Sequence, residues 1–226
     1  MRIIKLDEVD STNEYCKRHC GGGDMIVTAL RQTAGKGTKG RSFSSEYGGL
    51  YISVIKHYSD FLAVDAFKIM VNACVAVCKT VESFGLNPII RWANDVLVND
   101  KKICGTLIEN TFSGSYISRS IVGMGINVNN TLPEELRPIA TSMSSQLGSQ
   151  LDLFSVRDTL VKNLNKNYTV SDYKKYINWF GNEVLLKTAK GDITVTAVDI
   201  APDGGLLCVA AGSVKKISSA EVSLRL

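Results

Sequence analysis

Hydrophobic residues recur along this chain in three patterns, each of which predicts a type of element. Residues 2–9 alternate apolar and polar positions, as a half-buried strand does, and residues 25–30 form the short apolar run of a buried strand. Residues 64–84 are apolar on most faces at helical spacing, and Gly85 then provides a C-terminal stop. This last run predicts a long helix that crosses one face of a sheet.

Polar residues between these elements predict a capped helix and a long loop. Ser11, with Glu14 three positions later, has the form of a capping box and predicts a short helix to about His19, ended by the glycines at 21–23. Residues 31–49 are rich in Gly, Ser, Thr and Lys and have no apolar period. A loop of this length inside a compact domain is usually functional or disordered.

The rest of the chain divides into two regions that differ in predicted secondary structure. Up to Phe180, strands and helices are mixed, whereas after it short strands follow one another with turns between them. We therefore predict an α+β domain at residues 1–180, a mixed sheet flanked by helices, and a small β-barrel at residues 181–226. Strands are predicted at 50–55, 89–98, 103–109, 116–128, 184–186, 193–200, 206–210, 213–217 and 222–226, and helices with loops at 134–180.

Composition and charge exclude several classes of protein. The 226 residues are 45% hydrophobic, no apolar run reaches the length of a membrane span, and the start of the chain lacks the pattern of a signal peptide. The net charge of +4 is spread along the chain, and the one basic loop has no interleaved aromatic residues, which argues against nucleic-acid binding. We expect a cytoplasmic protein with neither a membrane nor a DNA partner.

The six cysteines fit a reduced, intracellular protein. Cys74 and Cys78 lie one turn apart in the apolar helical pattern, where free thiols are usually buried. Cys16, His19 and Cys20 could ligate a metal, but the chain has only one other histidine and no CxxC or HxxxH pattern to complete a set. We therefore predict no metal site built from protein ligands.

A polar turn between two short apolar strands carries the most informative residues. Residues 91–96 and 99–105 have this layout, which brings the amide of Asn94, the carboxylate of Asp95 and the amine of Lys102 toward one place. Asn and Asp are depleted in strands because they compete for backbone hydrogen bonds, so their presence here indicates a use. An ordinary hairpin with polar ends is the alternative interpretation.

The loop at residues 32–43 interleaves three glycines with three cations. Glycine lets backbone N–H groups approach a ligand closely, and Lys and Arg neutralise phosphate charge. A P-loop is excluded because Arg41-Ser42 stand where Lys-Ser/Thr is required, and because a strand rather than a helix follows. The Gly-x-Gly at 123–125 lacks the third glycine of a dinucleotide fingerprint. A solvated flexible loop is the alternative interpretation.

Five short motifs stand in sequence along the first part of the chain: Asp10-Ser11-Thr12-Asn13, residues 32–43, Arg91-Trp92-Ala93-Asn94-Asp95, Lys101-Lys102-Ile103-Cys104-Gly105 and Gly123-Met124-Gly125-Ile126-Asn127. In this order and at about this spacing they resemble the biotin protein ligases, over roughly residues 7–129. The resemblance implies a class II biotin ligase/lipoate ligase-like catalytic domain with a small C-terminal SH3-like β-barrel. Because the chain starts at the catalytic strand, it resembles the monofunctional class without an N-terminal DNA-binding domain.

The resemblance implies a two-step reaction. Members of the family make biotinyl-5′-AMP from biotin and Mg-ATP, and then pass biotin to one lysine of the biotin carboxyl carrier domain of a carboxylase. The substrates and cofactors expected here are therefore biotin, ATP and Mg²⁺, with Mg²⁺ arriving with ATP. Relatives dimerise by sheet pairing, so a homodimer is an open expectation, although nothing in this sequence identifies an edge.

The resemblance also implies roles for individual residues. Biotin is an apolar bicycle with a polar ureido end, and it needs a buried pocket with a few placed hydrogen bonds. The expected catalytic cations are Lys36, Arg41 and Lys102, which would neutralise the carboxylate and the α-phosphate. Asp95 would orient the acceptor lysine or help to remove its proton, and Cys104 would only pack. The expected biotin-binding residues are Ser11, Thr12, Asn13, Gln32, Gly35, Lys36, Lys102, Gly105 and Gly123, and the expected ATP-binding residues are Arg41, Phe43, Asn94 and Asn127.

Departures from the family's pattern concern charge and stacking. The loop begins Gly35-Lys36-Gly37-Thr38 where the family usually has Gly-Arg-Gly-Arg, so Thr38 removes a cation near the adenylate. This loss predicts weaker retention of the intermediate, unless Lys36 or Lys39 compensates. Phe43, Arg91 and Ala93 stand where the family usually has Trp, Lys and Pro.

Two rival functions remain at the level of sequence. A lipoate ligase of the same superfamily usually carries an Arg-Arg-x-x-Gly-Gly-Gly segment, and the glycines at 21–23 lack the arginines. A non-catalytic biotin binder or sensor needs no phosphate-neutralising cations, so Lys102 and the basic loop argue against it.

Overall fold

A seven-stranded mixed sheet forms the larger part of the fold, and its strands are β1 (Arg2–Val9), β2 (Met25–Gln32), β3 (Leu50–Leu62), β4 (Pro88–Arg91), β5 (Asp95–Val98), β6 (Lys101–Ser113) and β7 (Tyr116–Ile126). Their order across the sheet is β1-β2-β3-β7-β6-β5-β4. Strands β1 and β2 are parallel, and the other neighbours are antiparallel. The computed structural model describes residues 2–188, 191–210, 212–218 and 222–225.

Helices cover both faces of this sheet. Successive residues of a strand point to opposite sides, and the apolar residues of β2 and β3 are buried on both of them. On one face, Ile26 and Ile52 join the main hydrophobic core with the long second helix. On the other face, Cys16 of the first helix packs with Val27 and Ile55. The helices within the described residues are α1 (Thr12–Arg18), α2 (Phe67–Ser83), α3 (Met143–Leu147), α4 (Leu153–Leu164) and α5 (Val170–Lys174).

The C-terminal region is a second, antiparallel sheet of the predicted small SH3-like barrel. Its strands are β8 (Glu183–Thr188), β9 (Gly191–Ile200), β10 (Leu206–Ala210), β11 (Ser213–Ile217) and β12 (Val222–Arg225), in the order β11-β10-β9-β8-β12. Buried residues of both sheets belong to one hydrophobic core. The indole N–H of Trp92, between β4 and β5, donates to the carbonyl of Gly204 at 2.8 Å. The division of domains at residues 180 and 181 stays a prediction.

The strands predicted at 50–55 and 103–109 are longer than expected, since they run from Leu50 to Leu62 and from Lys101 to Ser113. Two further predicted boundaries were wrong for reasons visible in the structure. Residues 89–98 form two strands rather than one, because the chain turns at 92–94 and Arg91 pairs with Asp95 across the turn. The side-chain amide of Asn94 fixes this turn by donating to the carbonyl of Thr106 at 3.0 Å. Helix α2 begins at Phe67 rather than 64, because Ala63–Asp65 form a 3-10 turn first.

The predicted capping box at the start of α1 does not form. Ser11 precedes the helix with an extended backbone, but its side chain makes no capping hydrogen bond. Glu14 reaches sideways instead, to Lys17 Nζ at 2.8 Å and to Lys36 Nζ at 2.6 Å. The helix itself is confirmed, and it ends at Arg18.

The cysteines and the apolar segments are accounted for by packing. Cys16 is fully buried, and His19 stacks on Tyr15 with ring centroids 4.1 Å apart. Within the described ranges, no three His, Cys, Asp or Glu side chains are placed to share a metal ion. Each of the six cysteines, all of them described, carries a free thiol. Among the helices of the described residues, none is both long enough and apolar enough to cross a bilayer.

Candidate active site

One cavity of about 100 Å³ gathers eleven of the fourteen predicted site residues. It lies on the α1 side of the sheet, between the start of α1, the loop at 32–43 and the glycines of β6 and β7. The predicted residues that line it are Ser11, Thr12, Asn13, Gln32, Lys36, Arg41, Phe43, Asn94, Lys102, Gly105 and Gly123. Thr38, whose position near the adenylate the sequence had indicated, also lines it. The residues that sequence reasoning missed are Gly37, Ser42, Thr106, Leu107, Met124 and Gly125.

The amide of Gln32 ties the loop to the start of α1. Its Oε1 accepts from the backbone N–H of Thr12 at 2.8 Å and from the Thr12 hydroxyl at 3.1 Å. Its Nε2 donates to Ser45 Oγ at 2.8 Å, and Ser45 in turn donates to the carbonyl of Phe43 at 3.0 Å. Because each polar group has a partner, this side of the cavity is held in one arrangement.

Glycines on β6 and β7 leave room that a side chain would fill. A Cβ at Gly105 would lie 2.8 Å from Lys102 Nζ, and a Cβ at Gly125 would lie 2.6 Å from the ring of Phe43. A Cβ at Gly123 would collide with Asn13 Oδ1. Gly105 and Gly125 are cross-strand partners, so the two strands present a flat backbone surface here, which Lys102 and the ring of Phe43 cover. Gly125 could have been predicted from the sequence, because it stands two residues after Gly123 and therefore lies on the same face of the strand.

A cluster of one carboxylate and two cations lies where the adjacent strands β4, β5 and β6 meet, with one residue from each strand. Asp95 Oδ1 is 2.7 Å from Lys102 Nζ, and Asp95 Oδ2 is 2.7 Å from Arg91 Nη2. Burial alone would raise the pKa of Asp95, but the two cations outweigh it and lower that pKa below the ordinary value. Asp95 is therefore ionised and fixes the position of the Lys102 ammonium, which lines the cavity.

The loop at 32–43 folds back on itself over the cavity. Lys36 and Ser42 form an antiparallel bridge, and the Gly37 N–H donates to the carbonyl of Arg41 at 2.6 Å. The guanidinium of Arg41 donates to the carbonyl of Thr38 at 3.2 Å and to its hydroxyl at 3.1 Å. These bonds hold the cations of the loop near the mouth of the cavity.

The ring of Phe43 closes one side of the cavity. A Cβ added at Gly105 would lie 3.4 Å from this ring, and Lys102 Nζ is 5.6 Å from the centroid of the ring. An ammonium over an aromatic face at this distance is a favourable cation–π contact. Contact of Phe43 with ATP, where the ring could stack on adenine, stays a prediction.

Three predicted site residues lie outside the lining. Asp95 is beneath it, behind Lys102. Gly35 is packed against the carbonyl of Phe43, where a Cβ would collide. Asn127 is 3% exposed, donates to the carbonyl of Thr141 at 3.1 Å and accepts from Asn130 at 3.1 Å. Because its amide is committed to the protein, contact of Asn127 with ATP stays a prediction.

Cys104 is buried rather than reactive. Its side chain is fully inaccessible, and burial raises the pKa of its thiol far above the ordinary value. A thiolate is the nucleophilic form of cysteine, so this residue offers none near neutral pH. The sequence-based interpretation of Cys104 as a packing residue is confirmed.

The chemistry of the cavity follows from its lining. Hydroxyls and amides on one side can bind a polar head group, and the flat glycine surface can accept a ring system. Lys36, Arg41 and Lys102 supply positive charge to the same cavity, and Lys36 is itself ion-paired with Glu14 of α1 at 2.6 Å. Such a site can hold a polar bicyclic acid and neutralise the negative charge that collects when its carboxylate meets a phosphate.

Comparison with known proteins gives the same picture. The model of the biotin/lipoate A/B protein ligase family matches residues 8–127, and that of the biotin protein ligase C terminal domain matches residues 180–225. The bifunctional ligase/repressor BirA of Bacillus subtilis is 32% identical over 98% of this chain and 74% of its own length. The biotin–[acetyl-CoA-carboxylase] ligase of Mycobacterium tuberculosis is 27% identical over 94% of this chain and 85% of its own.

Solved structures agree in fold across the whole chain. The biotin protein ligase from Aquifex aeolicus in complex with biotin and ATP superposes with a TM-score of 0.80 at 31% identity. The alignment covers 99% of this chain and 98% of that one, so it includes both the mixed sheet and the C-terminal barrel. The chain therefore belongs to the biotin/lipoate A/B protein ligase family.

Proposed function

We propose that this protein is a biotin protein ligase that activates biotin with ATP as biotinyl-5′-AMP and transfers it to a lysine of a biotin carboxyl carrier domain. The observation that carries the proposal is one cavity lined both by hydrogen-bonding groups and by Lys36, Arg41 and Lys102. A protein that only bound biotin would have no need of three cations beside its carboxylate.

The residues that line the cavity favour one direction for biotin once the loop has opened. Its ureido ring needs donors and acceptors, which Ser11, Thr12, Asn13 and Gln32 provide. The bicycle and valeryl chain then lie along Gly105 and Gly123, where a side chain would block them. This direction brings the biotin carboxylate to the cations.

Adenylation joins two negatively charged groups, so charge neutralisation is the main task of the protein. In the proposed complex, Lys36, Arg41 and Lys102 would neutralise the carboxylate and the α-phosphate as the two groups meet. A well-placed donor of this kind contributes about 3–4 kcal/mol to transition-state stabilisation. Mg²⁺ bound to the ATP phosphates would neutralise further charge, and it needs no dedicated protein ligands.

Transfer to the carrier needs no enzyme nucleophile, because the mixed anhydride is already activated. The lowered pKa of Asp95 makes its carboxylate a weak base. Its two ion pairs favour the role of holding Lys102 in place over that of accepting a proton. Orientation of the acceptor lysine by Asp95 remains part of the proposal.

The loop at 32–43 acts as a lid in this scheme. Pockets that bury a ligand of this size have volumes of about 300–1,000 Å³, whereas the closed cavity is about 100 Å³. The Lys36–Glu14 ion pair and the Phe43 ring must therefore move for biotin and ATP to enter. The loop would then close again over the bound adenylate.

The acceptor and the compartment follow from the reaction class. The acceptor is the carrier domain of a biotin-dependent carboxylase, and six free thiols support a reducing compartment such as the cytoplasm. Homodimerisation stays a prediction.

Biotin-dependent exchange of pyrophosphate into ATP tests the activation step. We expect exchange with biotin, and none without an acid or with lipoate. Exchange driven by lipoate but not by biotin would favour a lipoate ligase. Tight binding of biotin without any exchange would identify a biotin-binding or sensing protein.

A further inference from the structure

Glu109 is a carboxylate just beyond the cavity that the reaction scheme does not use. It lies on β6, on the same face as Gly105 and Leu107, both of which line the cavity. Glu109 Oε2 accepts from Asn13 Nδ2 at 2.8 Å. Glu109 Oε1 accepts from Lys17 Nζ at 2.7 Å. The carboxylate thus connects β6 to two residues of α1.

The other end of the Asn13 amide faces the cavity. Asn13 Oδ1 accepts from Ser53 Oγ at 2.6 Å. The same Oδ1 is the atom that a Cβ at Gly123 would meet first, and Gly123 lines the cavity. Asn13 is 3% exposed and Ser53 is fully buried, so neither side chain can exchange these partners for bulk water.

Glu109 determines which group donates and which accepts in this series of hydrogen bonds. An ionised carboxylate only accepts hydrogen bonds, and a lysine ammonium only donates them. Because Lys17 occupies Oε1, Oε2 is left to accept from Asn13, which must turn its NH₂ toward Glu109 and its oxygen toward the cavity. The Ser53 hydroxyl, which has one proton, then donates it to Asn13 Oδ1, although Thr12 Oγ1 also lies 2.7 Å from Ser53 Oγ.

We propose that Glu109 is a positioning residue for biotin recognition, which keeps Asn13 Oδ1 presented as an acceptor for a ureido N–H. The inference rests on the proposed function. A carbonyl oxygen has two lone pairs, so Asn13 Oδ1 can accept from Ser53 and from the ligand together. A reversed amide would instead offer an N–H to the N–H of biotin, and two donors repel.

Lys17 makes the effect of a single isosteric change predictable. In Glu109→Gln, the new amide turns its oxygen to Lys17, because the ammonium can only donate. Its NH₂ group then faces Asn13 and forces that amide to reverse. If Lys17 is also replaced, as in Lys17→Met with Glu109→Gln, the new amide is free to turn its oxygen to Asn13 again.

The test is the KM for biotin in pyrophosphate exchange, with the variant Glu82→Gln as a matched control. Glu82 also accepts from a lysine, Lys79 at 3.1 Å, and from a neutral donor, the Tyr176 hydroxyl at 2.9 Å, but it does not line the cavity. We expect Glu109→Gln to raise the KM about tenfold, the worth of one good hydrogen bond, with kcat within about twofold of the parent protein. Glu82→Gln should change neither.

The double variant separates positioning from a structural role. Adding Lys17→Met to Glu109→Gln should restore most of the lost affinity, whereas damage to the fold would add to the loss. An unchanged KM in Glu109→Gln, a parallel fall in kcat and melting temperature, or a double variant worse than Glu109→Gln would each overturn the inference. The absence of exchange in the parent protein would instead refute the proposed function, and calorimetric titration of biotin into the same variants would then test Glu109 alone.

Discussion

Replacement of Lys102 by alanine separates catalytic charge from structural charge at the turn between β5 and β6. Lys102 Nζ lines the cavity and also lies 2.7 Å from Asp95 Oδ1. The variant removes one cation from the site of adenylation, which we expect to cost about 3 kcal/mol of transition-state stabilisation. This corresponds to roughly a hundredfold lower kcat/KM for pyrophosphate exchange.

The same variant should also lower stability, which the sequence alone did not suggest. Removal of one partner from a buried ion pair costs about 3–5 kcal/mol when the remaining charge has no other partner. Asp95 keeps Arg91 at 2.7 Å, and the Lys102 side chain is 28% exposed. We therefore expect a smaller loss, about 1–2 kcal/mol, in the free energy of unfolding measured with urea.

The variant Arg91→Ala is the matched control. Arg91 holds the other oxygen of Asp95 at the same 2.7 Å but does not line the cavity. It should lose similar stability and less than about tenfold in kcat/KM, since only the position of Lys102 is disturbed. Equal losses of activity in Lys102→Ala and Arg91→Ala would refute the reasoning. They would show that kcat/KM depends on the ion pairs of Asp95 and not on the charge of Lys102.

Three further predictions concern the loop, the retention of the adenylate and the response to acid. Limited proteolysis at residues 36–41 should be slowed by biotin with Mg-ATP more than by either alone; equal cleavage in all samples would exclude a lid. Thr38→Arg should reduce biotinylation of an unrelated lysine-rich protein, because a second guanidinium beside Arg41 would add about 1–3 kcal/mol of attraction for the adenylate phosphate; equal bystander labelling would show that Thr38 does not govern retention. Asp10 is paired with Arg18 at 2.7 Å, which lowers the pKa of Asp10 from 3.8 to about 2. Its stabilising contribution, less than about 1 kcal/mol for so exposed a pair, is complete above pH 3.8 and is lost as the pH falls to about 2. Asp10→Asn should flatten the urea stability profile in that window, and an unchanged slope would contradict the assignment.

Local patterns in the sequence predicted most of the elements, whereas the resemblance of five motifs to the biotin protein ligases implied most of the residues that line the cavity. The alternation at 2–9, the long apolar helix and the short C-terminal strands each reflect a periodicity that survives in the structure. The motif residues gather because β6 and β7 are neighbours and the Gln32 amide binds Thr12. Glycines at cross-strand positions mark the surface where a ligand can lie flat.

The parts that sequence reasoning missed depend on contacts between distant residues. Asn13 and Glu109 are 96 positions apart, and nothing in either local pattern indicates that they share a hydrogen bond. Glu14 has the spacing of a capping box, but the lysines at 17 and 36 offer a charged partner that a backbone N–H cannot match. The ion pairs of Asp95 were missed for the same reason, since its two cations come from different strands.

The most direct test of the central claim is transfer of biotin to a purified biotin carboxyl carrier domain. The protein is incubated with the carrier domain, biotin and Mg-ATP, and the carrier is analysed by intact mass and peptide mapping. The proposed function predicts one added biotinyl group, on a single lysine, only when both biotin and ATP are present. No modification under these conditions, or modification by lipoate in place of biotin, would contradict it.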